Sequence, residues 1–324
     1  MRPLTETTPK PLLPLVDRPI LDHVIDHLVA HGVREVIMSS PYLEETFDPF
    51  IRSRGGVPSI TWVTEREPLG TGGAIVSVLD VLGDEPFLAL NGDVLTDLDL
   101  TAMLERHRAR GAAVSIALHH VDDARAFGLV ETEGDAHVTA FREKPSDRVP
   151  GDINAGTYVL DPGALTTWEA GRTISIETEI FPALIGRGAP VCAFSADAYW
   201  MDLGTPAQYV QAHVDLLAGR LAGRSYPAPW IGPGAEVDPS ARLAASVTVG
   251  EGSRVAAGAS LEGAVLLPGA AVEEDAEVVR SIVGPGAVIG RRATLLDAVV
   301  GGGLRVGPDE RLAGERRSLA ASAD

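Results

Sequence analysis

The stretch T-V-G-E-G-S-R-V-A-A-G-A-S-L-E-G-A-V-L, Thr248–Leu266, decides the fold of the last third of the chain. Its apolar residues fall six apart at Val249, Val255 and Leu261, then five apart at Leu266. Neither a helix, with period 3.6, nor a plain strand, with period 2, produces that spacing. Working outward, Ile231, Val237 and Leu243 keep the six-residue beat upstream. Downstream it continues through Val272, Val278, Val283, Ile289, Leu295, Val300 and Val306, slipping by one residue each third step. Val249, Leu266, Val283 and Val300 are therefore seventeen apart, and Gly252, Gly269, Gly286 and Gly303 share the period. Three short sides with one residue dropped per turn make a triangular coil whose inward side chains stack in columns. A glycine-rich disordered tail would not keep periodic Val, Leu and Ile.

The first two-thirds obeys another rule. Helical spacing runs from Ile20 through Leu28 and Val29 to a stop at Gly32, and Val33–Ser39 reads as a short buried strand. Helical and strand patterns then alternate: helix Glu44–Arg54, strand Ile60–Thr64, helix Gly73–Leu82, strand Pro86–Leu90, helix Thr101–Arg110 capped by Thr101, and strand Val114–His120. Such alternation predicts an α/β fold, Rossmann-like, with a mixed, mainly parallel sheet, and ligands at the carboxyl ends of its strands.

Composition narrows the function. The 324 residues suffice for two domains, and the formal charge of −18 argues against nucleic acid or an anionic membrane as partner. No apolar run reaches the length of a membrane span, and the N-terminus lacks a signal-peptide pattern, so a cytoplasmic protein is expected. The single cysteine, Cys192, rules out an intrachain disulfide and reads as a small buried hydrophobe.

Of 27 basic residues only two are lysines, Lys10 and Lys144. Lys10 lies in R-P-L-T-E-T-T-P-K-P-L-L-P-L, Arg2–Leu15, where four prolines predict a stiff extended loop. A lysine ammonium is a compact point charge suited to a phosphate oxygen. After the strand that ends at Thr64, the loop E-R-E-P-L-G-T-G-G-A places Gly70, Thr71, Gly72 and Gly73 before a helix, where backbone can approach an anion. L-N-G-D puts Asp93 past a strand end, and Y-W-M-D-L-G-T-P puts Asp202 past another. A carboxylate so placed is a turn residue, a cap or a Mg²⁺ ligand. F-G-L-V-E brings Gly128, F-R-E-K-P brings Glu143 and Lys144, and N-A-G-T-Y-V-L brings Asn154 and Gly156. Each alone has a structural reading; together they are harder to dismiss.

In order and spacing these motifs resemble the nucleotide-diphospho-sugar pyrophosphorylases, over roughly residues 2–215. Within that family they look most like mannose-1-phosphate guanylyltransferases, through W-M-D-L-G-T-P and S-I-E-T-E-I-F-P-A-L at Ser175–Leu184. The resemblance implies a GT-A-like nucleotidyltransferase domain in which a sugar-1-phosphate oxygen attacks the α-phosphorus of a nucleoside triphosphate and pyrophosphate leaves. It implies that Asp93 and Asp202 hold Mg²⁺ and act with Lys10 as the catalytic set. Arg2, Gly70, Thr71, Gly72 and Asp93 would meet the nucleotide, and Gly128, Glu143, Lys144 and Asn154 the sugar phosphate. Thymidylyl or uridylyl transfer to glucose-1-phosphate stays open, as does a non-catalytic regulatory relative. Family members carry a first strand and G-G-x-G-T-R just before R-P-L-T, whereas this sequence opens at Met1-Arg2-Pro3. The expectation is therefore either an upstream start codon or a degenerate paralogue.

The repeats of the last third resemble the hexapeptide-repeat left-handed parallel β-helix, which in this family often mediates homo-oligomers. No histidine follows His213, so acyl transfer is not expected there and the coil reads as structural. The expected organisation is a nucleotidyltransferase domain over 1–220, a linker over 221–230, the β-helix over 231–310, and a frayed tail over 311–324.

Overall fold

The computed structural model of the chain describes residues 1–41 and 44–318. It divides into two units: Met1–Val24, Leu95–Asp97 and Met201 onward form the first, Ile25–Val94 and Leu98–Trp200 the second.

The second unit is mixed α/β. Its six-stranded sheet runs in the order Phe87–Leu90, Gly151–Leu160, Val114–Val121, Val191–Ser195, His137–Glu143, Gly128–Glu133. Alternation sorts the side chains onto two faces. Ile116, Tyr158, Leu160 and Phe181 are buried in one cluster, and Ala117, Val159, Phe194 and Met103 in the other. The balance of directions differs from the expected mainly parallel sheet. Within these six strands Val114–Val121 and Val191–Ser195 run parallel, while the other pairings are antiparallel. One cause is local: the short turn between Gly128–Glu133 and His137–Glu143 permits only an antiparallel pair. Glu35–Ser40 and Ser59–Thr64 form a separate parallel pair.

The helix over Leu100–Arg110 is capped by Asp99, whose carboxylate accepts from Ala102 N–H at 2.9 Å, and it ends at Gly111 in the left-handed region. Thr101, expected as its cap, instead pairs its hydroxyl with His31 Nδ1 at 2.8 Å. A carboxylate two residues earlier reaches the orphan N–H groups equally well, and sequence alone does not separate the two.

In the first unit the proline loop contains two single-turn 3₁₀ helices, Leu4–Glu6 and Lys10–Leu12, where an extended segment was expected. One turn tolerates proline at its start because the missing N–H has no intrahelical role there. The helix Pro206–Leu217 opens with a reciprocal capping box between Thr205 and Gln208.

The solenoid is built as its spacing predicts. Three parallel sheets stack Ile231–Val249–Leu266–Val283–Val300, Val237–Val255–Val272–Ile289–Val306 and Leu243–Leu261–Val278–Leu295–Leu312 in register. From Val249 onward these columns are almost fully buried, whereas Ile231 in the first coil is 40% exposed. One corner is glycine throughout, Gly252, Gly269, Gly286 and Gly303, each at positive φ. At the other corners non-glycine residues take the same conformation: Arg280 and Asp297 at one, Arg292 and Asp309 at the other. Each pair joins adjacent coils by a two-pronged ion pair at 2.6–2.8 Å. Regular pairing continues beyond residue 310, where fraying was expected. Leu312 fills the next inward position, and Arg316–Arg317 pairs with Val299–Val300. Residues 319–324 of the expected tail lie outside the described residues.

Two buried histidines tie this unit together. His23 Nε2 donates to the Leu15 carbonyl at 3.0 Å, and His213 Nδ1 pairs with Thr248 Oγ1 of the solenoid at 3.0 Å. Tyr209 of the same helix donates to the Pro14 carbonyl. Among the described residues His23 Nδ1 and His213 Nε2 have no hydrogen-bond partner. Burial pulls His23 down to about 4 and His213 to about 3, so both are neutral at pH 7. An unfolded histidine titrates near 6.5 and takes up protons that the folded one refuses. The stability is therefore complete above about pH 6.5 and lost as pH falls toward 4. His23 alone should contribute roughly 2 kcal/mol of that loss by pH 5. Urea melts at pH 7.5 and pH 5 should register it, and a His23→Gln chain should show a shallower dependence.

Candidate functional site

The first unit carries Arg2, Lys10 and Asp202 of the expected site; the second carries Gly70, Thr71, Gly72, Asp93, Gly128, Glu143, Lys144 and Asn154.

Lys10 opens the second 3₁₀ turn, held by Leu12 N–H on the Pro9 carbonyl at 2.9 Å and Leu13 N–H on its own carbonyl at 3.1 Å. Its backbone is thus fixed between two prolines and the side chain is half-buried. Asp202 ends the strand Trp200–Asp202, and D-L-G-T-P reads locally from there. Leu203 is buried, Gly204 leaves room for the carboxylate, Thr205 caps, and Pro206 starts the helix. A Cβ on Gly204 would stand 2.9 Å from Asp202 Oδ2, so glycine is what lets the carboxylate lie there.

In the second unit Asp93 sits in the turn that follows strand Phe87–Leu90. That turn is braced from the neighbouring strand: Asn91 N–H donates to the Gly156 carbonyl at 2.9 Å, and a Cβ on Gly156 would meet Asn91 Nδ2 at 2.7 Å. Gly156 lies at φ +69, inside a bulge between Asn154 and Tyr158. The N-G-D and N-A-G motifs are therefore one structural feature. Trp200 reinforces it, its indole donating to the Ala155 carbonyl at 2.9 Å.

Gly128, Glu143 and Lys144 also come together. Gly128 stands opposite Glu143 in the hairpin; a Cβ there would lie 2.4 Å from the Phe141 ring and 2.9 Å from Glu143 Oε2. Lys144 has φ +46, an uncommon backbone for a side-chain-bearing residue, held by its N–H on the Phe127 carbonyl at 2.9 Å. Its ammonium reaches Glu143 Oε1 at 3.3 Å while staying mostly exposed. Asn154 links to this group through Tyr158, donating from Nδ2 to the phenol oxygen at 2.7 Å, with its Oδ1 accepting from Gly156 N–H. The Tyr158 hydroxyl is pushed well above the usual phenol range, by burial first, then by Glu177, and also by Glu143; the Asn154 hydrogen bond opposes them.

Glu177 and Glu65 are the residues that sequence reasoning passed over. Glu177 lies in S-I-E-T-E-I, which folds as one turn of π-helix, Ile176–Ile180, capped by Ser175. Glu65, nearly buried, accepts from Ser39 Oγ at 3.0 Å and from Leu69 N–H at 2.9 Å, fixing the loop before G-T-G-G. The only sequence signal for either was membership of a quoted motif. The glycines of that loop have a packing role: Cβ atoms on Gly70, Gly72 and Gly73 would meet the segment Arg172–Ile176 at 2.2–3.0 Å. Gly70 is exposed and Thr71 half-buried; Gly72 is buried.

A Gly128→Ala substitution should move Glu143. Overpacking of this kind costs about 1–3 kcal/mol. A melt of the full chain beside the variant checks it.

Among the described residues no three His, Cys, Asp or Glu side chains gather into a metal cage. Asp93 and Asp202, single carboxylates after strands, suit a cation that takes few protein ligands and fills its remaining positions with water and phosphate oxygens, as Mg²⁺ does.

Comparison with known proteins identifies the lineage. Residues 1–219 match the nucleotidyl transferase family and residues 226–315 the GMPPB C-terminal domain. A mannose-1-phosphate guanylyltransferase of Mycobacterium tuberculosis is 37% identical over 291 residues, 86% of this chain and 80% of that protein. Mannose-1-phosphate guanylyltransferase 1 of Arabidopsis thaliana is 33% identical over 88% of this chain and 82% of its own length. Among solved structures, HddC from Yersinia pseudotuberculosis complexed with GMP-PN superposes with a TM-score of 0.57 at 27% identity, covering 65% of this chain and 92% of that one. With the motif residues placed and two-thirds of its length matched by one family model, the chain belongs to the nucleotidyl transferase family.

Proposed function

We propose that this protein transfers a guanylyl group from GTP to mannose-1-phosphate, releasing pyrophosphate and forming GDP-mannose. The observation that carries the reading is the 37% identity to a mannose-1-phosphate guanylyltransferase along 86% of the chain, spanning both matched domains. The reaction is an in-line displacement: a phosphate oxygen of mannose-1-phosphate bonds to the α-phosphorus, and the bond to the pyrophosphate oxygen breaks. Such chemistry needs positioning and charge neutralisation more than covalent help.

Lys10 neutralises the triphosphate and the leaving pyrophosphate. Lys144 holds the phosphate of mannose-1-phosphate, its strained backbone fixing where the ammonium projects. Glu143 and Asn154 bind sugar hydroxyls, Gly128 lets that edge come close, Gly70, Thr71 and Gly72 line the base pocket, and Arg2 meets the nucleotide. Asp93 and Asp202 would hold Mg²⁺, which when bound screens the phosphate charges. The proposed compartment is the cytoplasm; among the described residues no helix is long and apolar enough to cross a membrane. The solenoid is the proposed surface for homo-oligomer formation.

Pyrophosphate release should be measured for GTP, ATP, dTTP and UTP, each with mannose-1-phosphate and glucose-1-phosphate. GTP with mannose-1-phosphate should exceed every other pair by at least about tenfold in kcat/KM. Preference for dTTP or UTP with glucose-1-phosphate would move the assignment to the thymidylyl or uridylyl class.

A further inference from the structure

With a net charge of −18, a site for a polyanion has to be assembled from a few local cations. The first unit assembles one between the proline loop and the end of the solenoid. Pro3 packs against Gly301, its Cγ 3.3 Å from where a Cβ would stand. Gly301 N–H in turn donates to the Arg317 carbonyl at 2.9 Å, and Val299 and Val300 pair with Arg316 and Arg317. The loop bearing Arg2 and Lys10 is thus seated beside the strand bearing Arg316.

Several arginines of these coils are matched to carboxylates, whereas Arg242, Arg291 and Arg311, like Arg316, make no ion pair among the described residues. Arg280 meets Asp297, Arg292 meets Asp309, Arg305 meets Glu273, and Arg317 meets Glu310 at 2.6 Å. Arg316 is exposed and, among the described residues, makes no ion pair; the same holds for Arg2. The Met1 amino group stands near these charges. Its affinity for a proton is lowered by burial, then by Arg316, Lys10 and Arg2 in that order. Arg2 adjoins the Pro3 that packs on the coil paired to Arg316, and cations grouped on neighbouring segments repel one another.

We propose that Arg316, on the last paired strand of the solenoid, joins Lys10 and Arg2 in binding the polyphosphate of the nucleotide and of the released pyrophosphate. This rests on the phosphate-binding role assigned to Lys10 above. It gives the solenoid a part in substrate binding, where its repeat pattern alone reads as structural. A guanidinium presents a fork of donors to phosphate oxygens, and an ammonium at the same place supplies the charge without the fork.

The test uses the full chain with Arg316→Gln, Arg316→Lys, Arg317→Gln and Lys10→Ala variants. Arg316→Gln should raise KM for GTP and the inhibition constant of pyrophosphate together, each by about five- to twentyfold, with kcat within about twofold and an unchanged melt. Arg316→Lys should recover most of the loss. Arg317→Gln, which breaks the pair with Glu310, should leave both constants alone. If Lys10→Ala abolishes turnover but Arg316→Gln leaves KM and pyrophosphate inhibition at wild-type values, the inference on Arg316 is wrong and the catalytic reading stands. If Lys10→Ala is itself silent, the reading beneath it fails. A response confined to added inorganic phosphate, with KM for GTP unchanged, would mark a free-anion site and overturn the assignment to the nucleotide.

Discussion

Lys10→Ala lowers turnover by roughly a hundredfold or more, the scale seen when a preorganised charge on a reacting group is removed. That corresponds to about 2.7 kcal/mol of transition-state stabilisation. The expectation follows from how the residue is held. Pro9 and Pro11 fix the backbone on either side, and a 3₁₀ turn closes over the two residues that follow. An ammonium on so constrained a mount needs little reorganisation to meet developing charge on the leaving pyrophosphate. Lys10→Arg should rescue poorly, because a planar fork does not reproduce a compact point charge at the same depth. The fold should survive, since the core of this unit is built by Leu13, Leu15 and Ile20 rather than by Lys10. Single-turnover rates with matched melts separate the two effects.

Asp93→Ala should cost at least as much, again roughly a hundredfold or more in turnover, for a carboxylate expected to hold the divalent cation. Its turn is fixed by Asn91 on the Gly156 carbonyl, so the loss is of charge rather than of loop structure. Raising Mg²⁺ should not restore the rate, whereas Asp93→Glu should keep a measurable fraction with a shifted Mg²⁺ dependence. Near-normal rates in Asp93→Ala would remove the carboxylate from the mechanism.

The solenoid was the most legible part of the fold because its signal is redundant. Every turn repeats an inward Val, Leu or Ile and a corner glycine, and Val249, Leu266 and Val283 stack as their spacing requires. Strands such as Phe87–Leu90 and Val114–Val121 were legible to within one or two residues from their apolar runs, whereas His137–Glu143 and Val191–Ser195 were not read as strands. Strand directions were not legible, because parallel or antiparallel pairing depends on connection length and on which strand arrives next. The choice of Asp99 over Thr101 as a helix cap is likewise a matter of two residues of register.

Of the site, the residues with unusual chemistry were readable: two lysines in a chain that otherwise uses arginine, and aspartates after strands. The residues that shape it were not. Tyr158 looked like an ordinary strand aromatic, yet its hydroxyl accepts from Asn154 and is raised by burial and the charge of Glu177. Gly72 and Gly73 looked like backbone open to a ligand, yet Arg172–Ile176 occupies the space their side chains would need. Both depend on contacts made by segments about a hundred residues apart or on neighbouring strands, which no local pattern encodes.

The most direct measurement follows product by ³¹P NMR after mixing the full chain with GTP, mannose-1-phosphate and Mg²⁺. The account predicts GDP-mannose and pyrophosphate appearing in equal amounts, both dependent on mannose-1-phosphate. GTP that stays intact, or that is hydrolysed without a sugar nucleotide forming, would contradict it.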